Sequence, residues 1–133
     1  MIRALDTNII IDLLSKEPLI VRRLDETINN NVGVVIPVVV DYEVLRGFYH
    51  TSSPRKETAY FNMRANCPVV DITATMWKRA ARIWAELRRA GHAIGEADIL
   101  IAACCIENEY VLTTRNVKHF KAITGLLLED WAE

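Results

Sequence analysis

The sequence predicts an α/β fold in which a parallel sheet is covered by helices on both faces. Short runs rich in valine, isoleucine and leucine alternate with longer segments whose apolar residues recur at helical spacing. The run at residues 34–36 is apolar without alternation, as expected of a strand buried on both faces. No repeat or linker divides the 133 residues, so residues 1–133 are interpreted as a single domain.

The same patterns locate the individual elements. Strands are expected at residues 2–5, 34–36, 69–72, 111–113 and 126–128. Helices are expected at residues 8–14 and 20–28, around Glu43, after Pro54, at residues 76–89 and from Asp98 onward. Pro37 suits the first turn of the third helix, and Thr73 is a good N-cap for the helix at 76–89. The sequence does not set the order of the strands.

Composition and pattern argue against a membrane protein, a secreted protein and a zinc-binding protein. The chain is 51% hydrophobic and 25% charged, with a net charge of −1. No apolar run is long enough to cross a bilayer and no signal-peptide pattern opens the chain, so a cytoplasmic protein is expected. The three cysteines lack the spacing of a zinc site and are interpreted as buried free thiols.

The helix at residues 76–89 is amphipathic. At 100° per residue, an apolar side opposes a basic side. The apolar side comprises Met76, Ala80, Ile83, Trp84 and Leu87, and the basic side comprises Lys78, Arg82 and Arg89. The basic side is either ordinary solvated surface or a surface that contacts an RNA backbone.

Three acidic residues, each beside apolar neighbours, are the candidates for chemistry. Asp6 follows the first strand, Glu43 lies in the third helix, and Asp98 opens the helix before the fourth strand. A lone carboxylate among apolar residues is costly unless something compensates for it. Brought together, the three would form a hard oxygen-ligand pocket of the kind that holds Mg²⁺ or Mn²⁺, which indicates phosphodiester chemistry.

Each acid also has a structural interpretation. Asp6 can serve as the N-cap of the first helix, and Glu43 can form a salt bridge with Arg46. Asp41 and Glu43 lie about 200° apart on their helix, and Glu43 is expected to be the one that faces inward. Asp12 is expected to be a solvated helix residue.

Glu96 and residues 113–116 likewise have both a structural and a functional interpretation. Glu96 is about 200° from Asp98, so it reaches the same cleft only if the helix begins after it. Residues 113–116 can cap a helix or lend oxygens to the water shell of a metal. His119 is expected at the surface. Four aromatic residues are expected either to pack in the core or to form a surface for a protein partner. They are Tyr42, Phe48, Tyr49 and Phe61.

Four motifs in order resemble those of the PIN domain. They are Leu5-Asp6-Thr7-Asn8, Glu43 in Tyr-Glu-Val-Leu-Arg-Gly, Asp98 in Ala-Asp-Ile-Leu-Ile-Ala-Ala, and Leu112-Thr113-Thr114-Arg115-Asn116 with Phe120. More narrowly, the chain resembles the VapC toxins of type II toxin–antitoxin pairs. The likeness covers essentially the whole chain, including the closing Leu-Glu-Asp-Trp.

The resemblance implies a three-layer α/β/α sandwich and a Mg²⁺- or Mn²⁺-dependent ribonuclease. Carried over by position, Asp6, Glu43, Asp98 and Asn116 are the expected catalytic residues, and Asp6 and Asp98 the expected metal ligands. Asn116 and His119 fall where many family members have acids. Their identity puts a second metal site in doubt and leaves Glu96 as the nearest substitute.

The resemblance also implies partners. They are an RNA substrate, with tRNA as the family expectation, and a VapB-like antitoxin that holds the enzyme inactive. A homodimer and larger toxin–antitoxin assemblies follow from the same resemblance. The alternative is a catalytically impaired PIN-like module that binds RNA or protein. A phosphatase or phospho-receiver is disfavoured because Thr7 and Asn8, not a second acid, follow Asp6.

Overall fold

The computed structural model describes residues 1–133 and forms a five-stranded sheet in the order β3-β2-β1-β4-β5. All neighbouring strands run parallel. The strands are β1 (Arg3–Leu5), β2 (Val34–Pro37), β3 (Val69–Val70), β4 (Val111–Thr114) and β5 (Leu127–Asp130). The predicted parallel sheet is therefore confirmed, although β3 is two residues long and the predicted strand was four.

Seven helices connect and cover the strands. They are α1 (Thr7–Leu14), α2 (Pro18–Asn29), α3 (Val38–Thr51), α4 (Pro54–Arg64), α5 (Ala74–Arg89), α6 (Glu96–Asn108) and α7 (Val117–Phe120). Pro37 ends β2 and precedes α3, where the prediction placed it in the first turn of that helix. None of these helices combines the length and apolar character that crossing a membrane requires.

The central strands and α6 form the core. Ala4, Leu5, Ile36 and Leu112 are fully buried. The small residues at 102–105 of α6 are also fully buried and allow the helix to pack closely on the sheet. The three cysteines are buried and free, as predicted. Burial raises the pKa of Cys104 to about 11, so this thiol stays protonated and is a poor metal ligand at neutral pH.

Helix α5 follows its predicted amphipathic pattern with one exception. The Thr73 hydroxyl accepts a hydrogen bond from the Met76 N–H at 3.3 Å, which confirms the N-cap. Met76, Ala80, Ile83 and Leu87 are buried, whereas Trp84, predicted on the buried side, is 43% exposed. Trp84 lies at the edge of the apolar stripe, over a surface groove between α5 and α6.

The register of the sheet places the C-terminal ends of β1 and β4 side by side. Leu5 pairs with Thr113, although the two residues are separated by more than a hundred positions in the chain. Residues that follow β1 and β4 therefore meet at one edge of the sheet, outside the carboxyl ends of the strands. In open parallel sheets this edge is where ligands bind.

Candidate functional site

A cleft of about 270 Å³ lies at this edge of the sheet. Its lining residues come from α1, α3, α6 and the segment after β4; they are Asp6, Thr7, Asn8, Ile11, Glu43, Asp98, Asn116, His119 and Phe120. All four predicted catalytic residues, Asp6, Glu43, Asp98 and Asn116, are in this set. The structure therefore brings the predicted acids together from the residue before α1, from α3 and from α6.

Asp6 is the most deeply buried acid of the cleft, with 5% of its surface exposed. Its Oδ1 accepts a hydrogen bond from the Thr7 N–H at 2.8 Å, and its Oδ2 accepts one from the Thr114 hydroxyl at 2.7 Å. Asp6 is thus both the N-cap of α1 and a cleft residue, so the two interpretations of its role are compatible.

The pKa of Asp6 is raised above its ordinary value. Burial is the largest cause, and the nearby carboxylates of Asp98 and Glu43 raise it further, while the hydrogen bonds from Thr114 and Thr7 oppose the shift. All the hydrogen-bond donors to Asp6 are neutral. The charged form of Asp6 is therefore held at a cost that a cation in the cleft would relieve.

Glu43 reaches the cleft from α3 and contacts α1. Its Oε1 accepts a hydrogen bond from the Thr7 hydroxyl at 2.7 Å, and its Oε2 lies 3.6 Å from a guanidinium nitrogen of Arg46. The salt bridge to Arg46 and the position in the cleft, which the sequence left as alternatives, therefore coexist. Thr7 donates from its hydroxyl to Glu43 and from its N–H to Asp6, so one residue positions two of the acids.

The expectation that Glu43 alone faces inward on α3 was wrong. Asp41 is the more buried of the two, with 8% of its surface exposed. It accepts a hydrogen bond from the Tyr60 hydroxyl at 2.6 Å and lies 3.6 Å from Arg64. Asp41 faces α4, whereas Glu43 faces the cleft, because two polar surfaces flank the apolar side of α3.

His119, which was expected at the surface, lines the cleft. Its Nε2 lies 2.7 Å from Oδ2 of Asp98, and both side chains are only 32% exposed, so the expected surface position was wrong. Helix α7 is four residues long and too short to show a periodic pattern. The signal in the sequence was the family resemblance, which placed His119 at a position where many members have an acid.

Glu96 does not line the cleft. Helix α6 begins at Glu96, and the side chain lies beside Trp77, Trp84 and Ile99 in the groove between α5 and α6. The suggestion that Glu96 substitutes for a missing acid was therefore wrong. The reason is the one foreseen, since a regular helix that includes Glu96 turns it away from Asp98.

Thr114 organises the segment after β4. Its buried hydroxyl donates to Asp6, accepts from the Asn116 N–H at 3.0 Å, and lies 3.4 Å from the side-chain amide of Asn8. Thr113 instead bonds the carbonyl of Ala4 at 3.0 Å and supports the sheet. Of the segment 113–116, Thr114 therefore orients a carboxylate, and Asn116 lines the cleft.

An ion pair joins α1 to the segment after β4. Asp12, expected to be solvated, has an 18% exposed side chain 2.6 Å from the guanidinium of Arg115. The Arg115 N–H also donates to the side-chain oxygen of Asn8 at 3.3 Å. These contacts fasten α1 to the segment after β4, so Asp6 and Asn116 keep their relative positions.

The donor set fits a hard divalent cation. The cleft offers carboxylate oxygens from Asp6, Glu43 and Asp98 and an amide oxygen from Asn116, the ligand types that Mg²⁺ and Mn²⁺ prefer. No group of three or more His, Cys, Asp or Glu side chains is already gathered at ligand distance around one point. This is compatible with Mg²⁺, which commonly keeps several waters and binds one or two carboxylates together with substrate phosphates.

Comparisons with known proteins agree on one family. The family model described as the PIN domain matches residues 3–126. The chain is 31% identical over 130 residues to the tRNA(fMet)-specific endonuclease VapC of Shigella flexneri, covering 96% of each chain. Two solved structures also superpose over nearly their full length. They are VapBC2 from Rickettsia felis bound to a DNA fragment from its promoter (TM-score 0.91, 28% identity, 98% of this chain and 99% of the other) and VapBC-1 from nontypeable Haemophilus influenzae (TM-score 0.88, 28% identity, 100% of both).

Proposed function

This chain belongs to the PIN-domain family and, within it, to the VapC group, and on that premise we propose that it is an endoribonuclease toxin. Its reaction is the metal-dependent hydrolysis of a phosphodiester bond in RNA. The observation that carries the proposal is the convergence of Asp6, Glu43 and Asp98 on one cleft at the carboxyl edge of the parallel sheet. The structural contacts of these carboxylates, such as the capping of α1 by Asp6, do not supply a positive charge that balances all three of them.

Mg²⁺ or Mn²⁺ is the proposed cofactor, with Asp6 and Asp98 as its ligands. When bound, the cation neutralises charge on the scissile phosphate and lowers the pKa of the attacking water. The hydrogen bonds from Thr7 and Thr114 fix both oxygens of Asp6, so the ligand side chain is oriented before anything binds. His119 does the same for Asp98 through Oδ2.

Glu43 is the proposed group that orients the attacking water or accepts its proton. The Thr7 hydroxyl fixes Oε1, and Oε2, which faces the exposed Arg46, is the oxygen left for that task. Asn116 lines the same cleft and is neutral, so its amide can donate a hydrogen bond to a substrate phosphate without adding repulsion.

The proposed substrate is RNA, with tRNA as the first class to test because the Shigella flexneri relative is specific for tRNA(fMet). The proposed inhibitor is a VapB-like antitoxin, since the similar structures from Rickettsia felis and Haemophilus influenzae are VapBC proteins. A homodimer and larger assemblies with the antitoxin complete the proposal.

The test is cleavage of total RNA by purified, antitoxin-free protein with Mg²⁺ or Mn²⁺ and with EDTA. Asp6→Asn and Asp98→Asn should each lower the rate about a thousandfold, because charge stabilisation by a cation is worth several kcal/mol. Asp25→Asn is the matched control, since Asp25 is an exposed carboxylate on α2 outside the cleft.

Two outcomes would contradict the proposal. Wild-type activity in Asp98→Asn would remove that residue from the ligand set. Folded wild-type protein that binds RNA but never cleaves it would favour the alternative of a PIN-like binding module. In that event Asn116→Asp, which adds an acid to the cleft, is the variant to examine next.

A further inference from the structure

The solvent face of α3 carries an arginine between two tyrosines beside the cleft. Tyr42, Arg46 and Tyr49 are spaced at i, i+4 and i+7, so they lie on one side of the helix. Tyr42 is 60% exposed, Tyr49 is 72% exposed, and the Arg46 side chain is 60% exposed. Large aromatic side chains with this exposure contribute little to packing and are available to a ligand.

Arg46 stands where this face meets the cleft. Its guanidinium carbon lies 5.2 Å from the centre of the Tyr42 ring, and one of its nitrogens lies 3.6 Å from Oε2 of Glu43. The pair is long, and its Arg46 side chain is 60% exposed whereas its Glu43 side chain is 18% exposed, so water screens the arginine and the contact adds little stability. Arg46 can therefore exchange Glu43 for another anion at small cost while Tyr42 keeps it in place.

The negative charge of the cleft disfavours an approaching RNA backbone unless a cationic side chain lies nearby. The lining contains three carboxylates and no arginine or lysine, so an approaching phosphodiester chain meets repulsion. Arg115, which follows β4, lies 2.6 Å from Asp12 and is engaged by it. Arg46 is by contrast weakly paired, exposed and directly beside a cleft acid.

We propose that Arg46 and Tyr42 form the substrate-contacting surface for the RNA strand next to the scissile bond. The Arg46 guanidinium binds a phosphate adjoining the scissile one, and the Tyr42 ring stacks on an unpaired base. This inference rests on the proposed ribonuclease function and adds the residues that hold its substrate. A stacked base and a bound phosphate select single-stranded or looped RNA over a regular duplex.

The first measurement is binding of a fluorescently labelled 12-nucleotide single-stranded RNA, in EDTA, at several KCl concentrations. Arg46→Gln should weaken binding about tenfold, and its plot of log affinity against log salt should be shallower by about 0.7, the loss of one phosphate contact. Arg46→Lys should keep the wild-type slope. Tyr42→Ala should weaken binding about tenfold with an unchanged slope, because stacking releases no counterions.

Arg88→Gln is the matched control. Arg88 lies 4.7 Å from the centre of the Trp84 ring on α5, so it repeats the arginine–aromatic contact away from the cleft. Steady-state cleavage with Mn²⁺ gives an independent check. Arg46→Gln should raise KM about tenfold and leave kcat near the wild-type value, while Arg88→Gln changes neither.

The outcomes separate this inference from the function on which it rests. If Arg46→Gln and Arg88→Gln match in affinity, salt slope and KM while the wild type binds and cleaves RNA, the inference fails and the function stands. If the wild type neither binds nor cleaves RNA, both fail. A fall in kcat alone for Arg46→Gln would also overturn the inference, since it would place the effect on Glu43.

Discussion

Asp6 and Asp41 are both buried carboxylates, but their surroundings differ in kind. Asp41 accepts a hydrogen bond from Tyr60 and faces the guanidinium of Arg64, so its charge is balanced by the protein itself. Asp6 receives hydrogen bonds only from the neutral Thr7 and Thr114, and its nearest charged neighbours are two further acids. The first arrangement is complete, whereas the second lacks a positive charge.

The difference teaches how to distinguish a structural acid from a functional one. Burial alone does not do so, because the exposed fractions of the two residues differ by only a few per cent. The distinguishing property is whether a cation is already supplied. Around Asp41 the Tyr60 pKa is raised, by burial and then by the bond to Asp41, so the phenol stays a donor. Around Asp6 no such partner exists, which suits a site that receives Mg²⁺.

The largest effect on stability is expected when Asp41, whose charge the protein itself balances, is removed. Asp41→Ala should lower the free energy of unfolding by about 2–3 kcal/mol, because it leaves the buried Tyr60 hydroxyl without its acceptor and Arg64 without its counter-charge. Urea denaturation measures this loss. RNA cleavage below the unfolding range should stay near the wild-type rate.

The matched comparison is Asp41→Asn, which keeps an acceptor oxygen for Tyr60 and should cost less than Asp41→Ala. An Asp41→Asn variant that is stable yet inactive would show that Asp41 also serves catalysis. Such a result would remove the distinction between the two acids.

An intermediate effect, on metal binding, is expected when Asp6 is kept but loses one of the hydrogen bonds that orient it. Thr114→Val deletes the hydroxyl bonded to Oδ2 of Asp6 and should weaken Mn²⁺ binding about 10- to 100-fold, as changes to ligand-orienting groups commonly do. Isothermal titration calorimetry with Mn²⁺ measures the change. Thr114→Ser, which retains the hydroxyl, should stay near wild type; equal losses in both variants would contradict the hydrogen-bond explanation.

The smallest effect should be a pH dependence of stability without added cation. The pKa of Asp6 is raised above its ordinary 3.8, so between the two values the folded protein binds more protons than the unfolded chain. The stability that Asp6 contributes is therefore present below pH 3.8 and is lost as the pH rises through the folded pKa. Asp6→Asn should lack this loss.

Thermal melts of the two proteins across this pH range, with EDTA, check the sign. Adding Mg²⁺ at neutral pH should stabilise the wild type and not Asp6→Asn, because a ligand that binds only the folded state stabilises it. A wild type whose stability relative to Asp6→Asn improves with rising pH in EDTA would show that Asp6 is already balanced, as Asp41 is.

Much of the fold and three acids of the site could be predicted from local pattern. The strands at β1, β2 and β4 are short apolar runs, and the rule that ligands bind at carboxyl ends of parallel strands directed attention to Asp6. Strand order could not be read, because β1 pairs with β4 across most of the chain and no local signal encodes that pairing.

The failures have the same physical origin. Asp41 was misjudged because its partner Tyr60 lies 19 residues away on another helix, so helical angles on α3 alone could not reveal a second polar surface. His119 was expected at the surface because its contact is with Asp98, 21 residues earlier, which no local pattern reveals. Glu43 and Asp98, which line the cleft, could be proposed from the sequence because each lies in an apolar helix, where a charge stands out within a few residues.

The hydrogen bond from Thr114 to Asp6 also determines when the cleft can form during synthesis of the chain. It joins residues 108 positions apart, and at ribosomal rates roughly 5–20 s separate the synthesis of its two ends. During that interval Asp6 has been made but the hydroxyl that orients it has not. A nascent chain therefore remains without its finished cleft until nearly the whole domain has been translated.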